Sequence, residues 1–233
     1  MILAGGQSRR LGCDKRRLRL WGASGPTLLE RTVTLAATLC PEVMVVLNDP
    51  EAWSGLPAAI IADRYPGGGA LGGIASALEL LRTPYALVLA CDMPLLAPSL
   101  LAAMLALPRT YDILVPATAQ PGASRNPFGV EPLHAIYARS CLGPMQRALS
   151  AGERQITCFF PQVRVSYLDA AIVRRHDPDG HSFLSINTPS QLATVERLLV
   201  LLHGVSAFYP HPTPPPLGIS LPTTFVRPSA MVR

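Results

Sequence analysis

Lysine is almost absent from this chain. Of the 20 lysine and arginine residues in the 233-residue sequence, only Lys15 is a lysine. Lysine is a compact point charge, whereas arginine carries its charge on a planar fork of donors. A site that needs a compact cation would explain this exception to the consistent use of arginine, and chance retention is the alternative. Lys15 is therefore the first candidate functional residue.

Charged residues, cysteine pairs and long apolar runs are also scarce. Charged residues make up 15% of the sequence and hydrophobic residues 49%, a balance that favours a globular core over disorder. The five cysteines form no C-x-x-C pair, which argues against a zinc site or disulfides and favours a reducing compartment. The apolar run before Gly5 is too short for a signal peptide, and the late run LATVERLLVLL is too short and too charged to span a membrane. We therefore expect a cytoplasmic protein with no membrane partner.

Several familiar catalytic and binding motifs are missing. The glycines at the start of the chain match neither the P-loop pattern G-x-x-x-x-G-K-[ST] nor the dinucleotide pattern G-x-G-x-x-G, which disfavours an ATPase of the P-loop class and a dehydrogenase. No residue stands in a recognisable nucleophile or triad setting, and the five histidines lack metal-ligand spacing. The net charge of +5 permits nucleic-acid binding, but no aromatic residues are interleaved with the basic cluster, so nucleic acid is not an expected partner.

Short apolar runs alternate with helical patterns over most of the chain. Near-continuously apolar runs are typical of strands in a parallel sheet that is covered on both faces. The alternation predicts an α/β fold with a doubly wound, mostly parallel sheet and helices on both faces, in one domain over 1–202. The proline-rich remainder, 203–233, is expected to be an extended or poorly ordered tail. The predicted strands are 42–48, 58–63, 85–92 and 112–117, and the predicted helices are 26–39, 72–82, 97–107, 142–151 and 189–202.

A glycine turn follows the first apolar residues, in the stretch ILAGGQSRRLGCDK. Ligands bind at the carboxyl edge of a parallel sheet, and glycines there let backbone N–H groups approach phosphate oxygens. Gly5 and Gly6 by themselves could merely mark a turn. Arg9, Arg10 and Lys15 follow closely, and these cations would repel one another unless solvent or an anion separates them. A triphosphate would supply that anion.

Polar residues also stand where later strands end. Asp92 directly follows YALVLAC and either holds Mg²⁺ or caps the helix that begins near Pro94. Asp63 and Asn48 end two other apolar runs, and each either contacts a ligand or starts a turn.

Two further stretches precede predicted helices. The glycine-rich loop YPGGGALGG is either an anion site, rich in N–H groups, or a mobile connection. In INTPSQL, Thr188 and Pro189 are typical of a helix N-cap and a first helical position, an assignment that leaves Asn187 unexplained.

Together these stretches resemble the molybdenum cofactor guanylyltransferases, within the nucleotidyltransferase family of molybdopterin. The resemblance rests on LAGGQSRRLGCDK, VVLN, IIAD, GGGALGGI, VLACDMPLL, EPLHAIYARSCL, AGERQI and INTPSQL, in the family's order. It implies a Rossmann-like nucleotidyltransferase fold. It also implies transfer of GMP from GTP to the phosphate of molybdopterin, with Mg²⁺ and with release of pyrophosphate. Proteins that deliver molybdopterin or assemble molybdoenzymes are the macromolecular partners it implies.

The resemblance and the glycine loops assign roles to individual residues. The acceptor phosphate is already an anion at neutral pH, so the reaction needs charge neutralisation and positioning rather than a protein base or nucleophile. The predicted catalytic residues are Lys15, Arg9, Arg10 and Asp92, and the predicted metal ligands are Asp92 and Asn187. The predicted nucleotide-binding residues are Leu3, Ala4, Gly5, Gly6, Lys15, Asn48, Asp63, Gly72 and Asp92. Arg16, Arg17 and Arg19 are expected to face solvent or the anionic acceptor.

The sequence departs from the family pattern at two places, and other functions remain open. Only three residues precede Ala4, so the first strand is expected to be short, and Ser185 stands where the family often has a second asparagine. The nearest alternative is a molybdopterin cytidylyltransferase or another cytidylyl- or sugar-phosphate nucleotidyltransferase, because the fold and the phosphate chemistry would be the same. A non-catalytic nucleotide-binding partner in molybdoenzyme assembly is an alternative of another class, which Lys15 and Asp92 disfavour. A nucleic-acid-binding module is a weaker one.

Overall fold

The computed structural model describes residues 1–6, 8, 10–117 and 129–203. Within those ranges, seven strands form a single sheet. The predicted tail beyond His203 lies outside the described residues. The strands are β1 (Ile2–Leu3), β2 (Met44–Leu47), β3 (Ala59–Ala62), β4 (Tyr85–Ala90), β5 (Ile113–Pro116), β6 (His134–Ala138) and β7 (Val165–Leu168).

The sheet is mostly parallel, as predicted. Its strand order is β3-β2-β1-β4-β6-β5-β7. The strands β3, β2, β1 and β4 run parallel to one another, and β5 and β7 are parallel to each other. β6 is antiparallel to both β4 and β5. The four predicted strands are confirmed and correspond to β2, β3, β4 and β5. Strands β6 and β7 were not predicted. β6 begins at His134, and β7 contains Ser166 and the exposed Tyr167, so polar or exposed residues interrupt both apolar runs.

Helices cover both faces of the sheet. They are α1 (Leu28–Leu39), α2 (Gly69–Leu80), α3 (Pro98–Ala106), α4 (Leu142–Ser150), α5 (Ala170–His176) and α6 (Pro189–His203). Side chains of β4 alternate between the two cores: Leu87 and Leu89 pack with α1 and α3, and Val88 packs with α2 and α4. None of the helices in the described ranges has the length and hydrophobicity needed to cross a membrane.

The central strand β1 is as short as the sequence predicts, with two residues. The ladder nevertheless continues beyond it on both sides. The Ala4 N–H donates to the Val46 carbonyl at 2.9 Å, and the Cys91 N–H donates to the Leu3 carbonyl at 3.1 Å. These bonds carry the chain in register from β1 into the glycine turn, so the turn leaves the sheet at a fixed place.

A third apolar cluster ties α6 to the segment that follows Lys15. Leu18, Leu20 and Leu28 pack against Ile186 and, from α6 itself, Leu192, Val195 and Leu199. This packing joins two parts of the sequence that are far apart in the chain. It brings the start of α6 to the same edge of the sheet as the glycine turn.

Helix α2 begins three residues before the predicted start at 72, at Gly69. The glycine-rich loop before α2 is therefore shorter than predicted, and Gly72 is a helical residue. The physical reason is burial: Leu71, Ile74 and Leu78 recur at helical spacing and are all fully buried, so packing outweighs the poor helix propensity of glycine. A Cβ at Gly72 would lie 3.0 Å from the Tyr65 carbonyl oxygen, whereas the nearest atom to one at Gly73 would be a flexible Leu3 methyl, at 3.3 Å.

This difference predicts opposite responses to alanine at adjacent positions. We expect Gly72→Ala to lower the free energy of unfolding by about 1–2 kcal/mol, because overpacking against backbone exceeds the gain in helix propensity. Gly73→Ala is the matched control and should leave stability unchanged or slightly higher. Urea unfolding monitored by circular dichroism measures both. Equal stability of the two variants would contradict the packing at Gly72.

Candidate functional site

A groove of about 470 Å³ lies at the carboxyl edge of the parallel strands. It sits where β1, β2, β3 and β4 end, beside the start of α2, which is the edge where a sheet of this kind binds ligands. Seven predicted site residues line it, namely Leu3, Gly5, Gly6, Lys15, Asn48, Asp63 and Asp92. The structure therefore brings together residues from four separate segments of the chain.

Lys15 is fixed at one end of the groove by two side chains from distant parts of the sequence. It begins a short 3₁₀ turn, Lys15–Arg17, and its side chain is only 11% exposed. Its Nζ donates to Asp92 Oδ2 at 2.6 Å and to Asn187 Oδ1 at 3.2 Å. An ammonium group has three donors, so one N–H remains for a ligand after these two bonds.

Asn187 is oriented by its own neighbours. Its Nδ2 donates to Ser185 Oγ at 3.0 Å, which leaves Oδ1 facing Lys15. The adjacent Ile186 N–H donates to the Asp92 carbonyl at 2.9 Å, so the Asn187 segment is also bound to the strand end that carries Asp92. Ser185, the departure from the family pattern, thus holds the amide in place.

The predicted cap of α6 is confirmed. The Gln191 N–H donates to Thr188 Oγ1 at 3.3 Å, and Pro189 occupies the first helical position. Gln191 in turn accepts from the Asn187 N–H through Oε1, at 2.9 Å. The start of α6 is therefore a hydrogen-bonded unit that presents Asn187 to Lys15, although Asn187 itself does not line the groove.

Gly5 is a residue that the local geometry requires. Asn48 Nδ2 donates to the Gly5 carbonyl at 2.5 Å, and a Cβ at Gly5 would lie 3.1 Å from Asn48 Oδ1. A Cβ at Gly6 would meet Lys15 Cε at 3.8 Å, an ordinary contact. Ala4 is buried beneath the turn and does not line the groove.

Asp63 is held at the end of β3. Its Oδ1 accepts from the Tyr65 N–H and from the Ser76 hydroxyl, each at 2.9 Å. Gly72 lies behind this carboxylate and does not line the groove, whereas Gly69, Ala70 and Gly73 of the same helix do. The helix thus faces the groove with different glycines from the one that the sequence suggested.

The arginines near Lys15 differ in their placement. Arg9 lies outside the described residues, and Arg10 is exposed on the loop without lining the groove. Arg16 does not face solvent as expected: its side chain is 12% exposed and pairs with Asp14 and Asp49. The expectation failed because Asp49, 33 positions away in the sequence, is brought to Arg16 only by the fold, whereas Asp14 caps the turn that contains Arg16.

Arg17 and Arg19 also have partners that the sequence did not reveal. Arg17 lies over the Trp53 ring, 4.5 Å from its centroid, although more than half of its side chain is exposed. Arg19 donates to the Gly25 carbonyl. These contacts anchor the segment that follows Lys15.

Cys91 is a thiol in the groove wall, next to Asp92. Burial, followed by the nearby Asp92 carboxylate, raises the pKa of Cys91 to about 12. A thiolate is the reactive form of cysteine, so Cys91 stays neutral and is no nucleophile at neutral pH. The groove therefore offers charge and hydrogen bonds rather than covalent catalysis by this residue.

A second cavity, of about 530 Å³, lies between α1 and the turn that precedes α3. None of the predicted site residues lines it. Its wall includes Trp21, whose ring is covered by the Arg31 guanidinium 4.3 Å from the centroid. The chemistry of the strand ends, rather than the size of the cavity, identifies the functional groove.

Comparison with known proteins adds a family to this geometry. Residues 1–166 match the sequence profile of the MobA-like NTP transferase domain. The chain is 47% identical over 204 residues to a probable molybdenum cofactor guanylyltransferase of Chloroflexus aggregans, which covers 85% of this chain and 93% of that protein. It is 31% identical over 200 residues to a molybdenum cofactor guanylyltransferase of Desulfosudis oleivorans, with 85% and 94% covered.

Solved structures agree with the sequence comparison. The crystal structure of molybdopterin-guanine dinucleotide biosynthesis protein A from Archaeoglobus fulgidus superposes with a TM-score of 0.71 at 28% identity. The match covers 86% of this chain and 98% of that one. The similarity therefore extends over nearly the whole described part of the chain.

The ion pair at Lys15 predicts how the amine reacts. Lys15 is the only lysine, so a lysine-selective acylating reagent followed by peptide mass spectrometry reports on this site and separates it from the terminal amine. We expect Asp92→Asn to increase the labelling rate of Lys15 about tenfold, since a hydrogen bond between charged groups contributes roughly 1.5 kcal/mol or more.

The matched control is Asp112→Asn, which removes a carboxylate that pairs with Arg164 before β5, at the opposite edge of the sheet. Its labelling rate should equal that of the wild type. Unchanged labelling in Asp92→Asn would show that the ion pair does not restrain Lys15.

Proposed function

We propose that this chain, which belongs to the MobA-like NTP transferase family, transfers GMP from GTP to the phosphate of molybdopterin. The observation that carries the proposal is the Lys15 ammonium, which Asp92 and Asn187 hold at the end of a groove floored by a glycine turn. The guanylyl branch is favoured by the names of the relatives in Chloroflexus aggregans and Desulfosudis oleivorans.

The reaction is a displacement at the α-phosphorus of GTP. An oxygen of the molybdopterin phosphate forms the new P–O bond, and the bond between the α-phosphorus and the bridging oxygen breaks. Pyrophosphate leaves with that oxygen. The attacking oxygen is already anionic at neutral pH, so no proton has to be removed, in keeping with a groove whose Cys91 is a neutral thiol.

Lys15 supplies the fixed positive charge for this step. Its free N–H would point to the triphosphate, and a preorganised charge lowers the barrier where negative charge develops on the leaving group. The N–H groups of Gly5 and Gly6 would bind phosphate oxygens, and Leu3 and Ala4 would place the turn that carries them. Arg9 and Arg10 would flank the pyrophosphate path.

Asn48 and Asp63 would contact the nucleoside. Both line the groove, and both are held by hydrogen bonds to backbone or side-chain groups. A held polar group loses little freedom when it binds, which favours recognition. Gly72 would act indirectly, by allowing the close packing behind Asp63.

The Mg²⁺ that the family implies would be held by Asp92 and Asn187. The donor set fits beside Lys15: Asp92 has a second carboxylate oxygen, Oδ1, that Lys15 does not use, and the amide oxygen of Asn187 has a second lone pair, and both are hard ligands. Among the described residues no three His, Cys, Asp or Glu side chains are grouped to bind a metal, so nucleotide phosphates would complete the ligand set. When bound, the ion supplies further neutralisation of phosphate charge.

The proposal predicts a clear order among nucleotides. We expect GTP to bind in the presence of Mg²⁺ at least about tenfold more tightly than CTP, ATP or UTP, because a site that pairs with polar groups of one base leaves them unpaired with another. Isothermal titration calorimetry with the four nucleotides measures this order. Preference for CTP would replace the guanylyl reaction with the cytidylyl one.

Turnover distinguishes an enzyme from a nucleotide-binding partner. Pyrophosphate release from GTP and molybdopterin should be lost in Asp92→Ala, with the fold retained by circular dichroism. Asp112→Ala serves again as the remote carboxylate control and should keep its activity. Absence of turnover in the wild type, with GTP still bound, would favour the non-catalytic function.

A further inference from the structure

The guanidinium of Arg16 uses every one of its hydrogen-bond donors. Nε donates to Asp14 Oδ1 at 2.8 Å, and Nη2 donates to Asp14 Oδ2 and to Asp49 Oδ2, each at 2.8 Å. Nη1 donates to Asp49 Oδ1 at 2.5 Å and to the Ala4 carbonyl at 3.3 Å. A guanidinium has five N–H groups, so these five bonds satisfy it completely. We call Arg16, Asp14, Asp49 and the Ala4 carbonyl the Arg16 clasp.

Each member of the clasp is next in sequence to a residue that lines the groove. The Ala4 carbonyl leads directly into Gly5. Asp14 and Arg16 stand on either side of Lys15, and Asp49 follows Asn48. The clasp therefore joins the three segments that bring the glycine turn, the ammonium and the Asn48 amide to the groove.

The charged groups of the clasp stabilise one another in their ionised forms. Hydrogen bonds from Arg16 hold the pKa of Asp49 below its ordinary value. For Asp14, burial raises the pKa, but hydrogen bonds and charge attraction from Arg16 outweigh it, so the pKa is also lowered. Hydrogen bonds to Asp49 and then Asp14 raise the pKa of Arg16 despite its burial. All three groups are thus ionised around neutral pH. Without the guanidinium, two carboxylates would face each other beside the glycine turn, where negative charge opposes a triphosphate.

Trp53 closes the clasp from the side. Its ring is almost fully buried, and the Arg16 guanidinium lies 5.2 Å from its centroid. Trp53 ends the 3₁₀ turn that begins directly after Asp49. The same turn therefore supplies a carboxylate and a ring to Arg16, so the guanidinium has one defined place.

We propose that Arg16 is a positioning residue for nucleotide binding, which sets the relative placement of Gly5, Lys15 and Asn48 before the nucleotide arrives. This inference rests on the proposed GTP-binding function. It differs from a role in stability alone, since it requires that loss of the clasp weakens GTP binding in a protein that is still folded. Arg16 itself touches neither substrate.

The test compares Arg16→Gln with Arg164→Gln. Arg164 also pairs with a carboxylate, Asp112, through two of its nitrogens, at the opposite edge of the sheet, so its variant controls for the loss of an ion pair elsewhere. We expect Arg16→Gln to raise the Kd and the KM for GTP about tenfold or more, and to leave the KM for molybdopterin unchanged. Arg164→Gln should keep all three constants at their wild-type values.

Two further variants keep the test decisive. Asp49→Asn retains the pair between Arg16 and Asp14, so this variant should fold more readily than Arg16→Gln. Its KM for GTP should rise less, by about threefold. Arg16→Lys restores the charge but offers three donors instead of five, and should not recover wild-type affinity. Circular dichroism and thermal melting establish that each variant is folded.

The outcomes separate the two proposals. Wild-type GTP affinity in folded Arg16→Gln, or equal weakening in Arg164→Gln, would overturn the clasp while leaving the proposed function intact. A wild-type protein that binds no GTP would contradict both. A rise in the KM for GTP that is confined to the clasp variants is the result we expect.

Discussion

The ion pair between Lys15 and Asp92 is the contact on which the rest of the site depends. It joins the loop after β1 to the end of β4, residues that lie 77 positions apart. Both side chains are largely shielded from water, so the cost of desolvation is offset only by close geometry and additional hydrogen bonds. The 2.6 Å separation and the third partner, Asn187, meet that requirement. Lys15 and Asp92 line the groove, and Asn187 supports Lys15 from beside it.

These side chains can converge only if the sheet that carries them is rigid, and the central strand of that sheet is unusually short. Strand β1 contributes two residues to the middle of the sheet, yet backbone bonds on either side hold the chain in register up to Ala4. The cluster of Leu18, Leu28 and Ile186 then draws the start of α6 onto the segment after Lys15. Apolar packing thus positions the polar groups before a ligand binds, as a preorganised site requires. The backbone bonds and this packing compensate for the shortness of β1.

Several features of the site could be read from the sequence because they depend on local pattern. Asn48, Asp63 and Asp92 each follow an apolar strand, and parallel neighbouring strands end at the same edge, so their proximity follows from the fold class. Lys15 could be identified as a candidate because it is the only lysine in the sequence. The mostly parallel sheet followed from apolar runs alternating with helices.

Other features could not be read, because they depend on contacts between distant residues. Arg16 stands among several arginines, and only the fold shows that Asp49, 33 positions away, completes its hydrogen bonds. The start of α2 at Gly69 reflects burial that outweighs glycine's propensity, and it changed which glycines face the groove.

The central claim is that the Lys15 ammonium is the charge that receives the triphosphate, and one measurement addresses it directly. Because the chain has a single lysine, isotope-labelled lysine gives one side-chain signal in nuclear magnetic resonance spectra. Titration with GTP and Mg²⁺ should shift that signal until one equivalent is bound, in parallel with the binding isotherm from calorimetry. Saturating GTP binding with an unchanged Lys15 signal would contradict the claim.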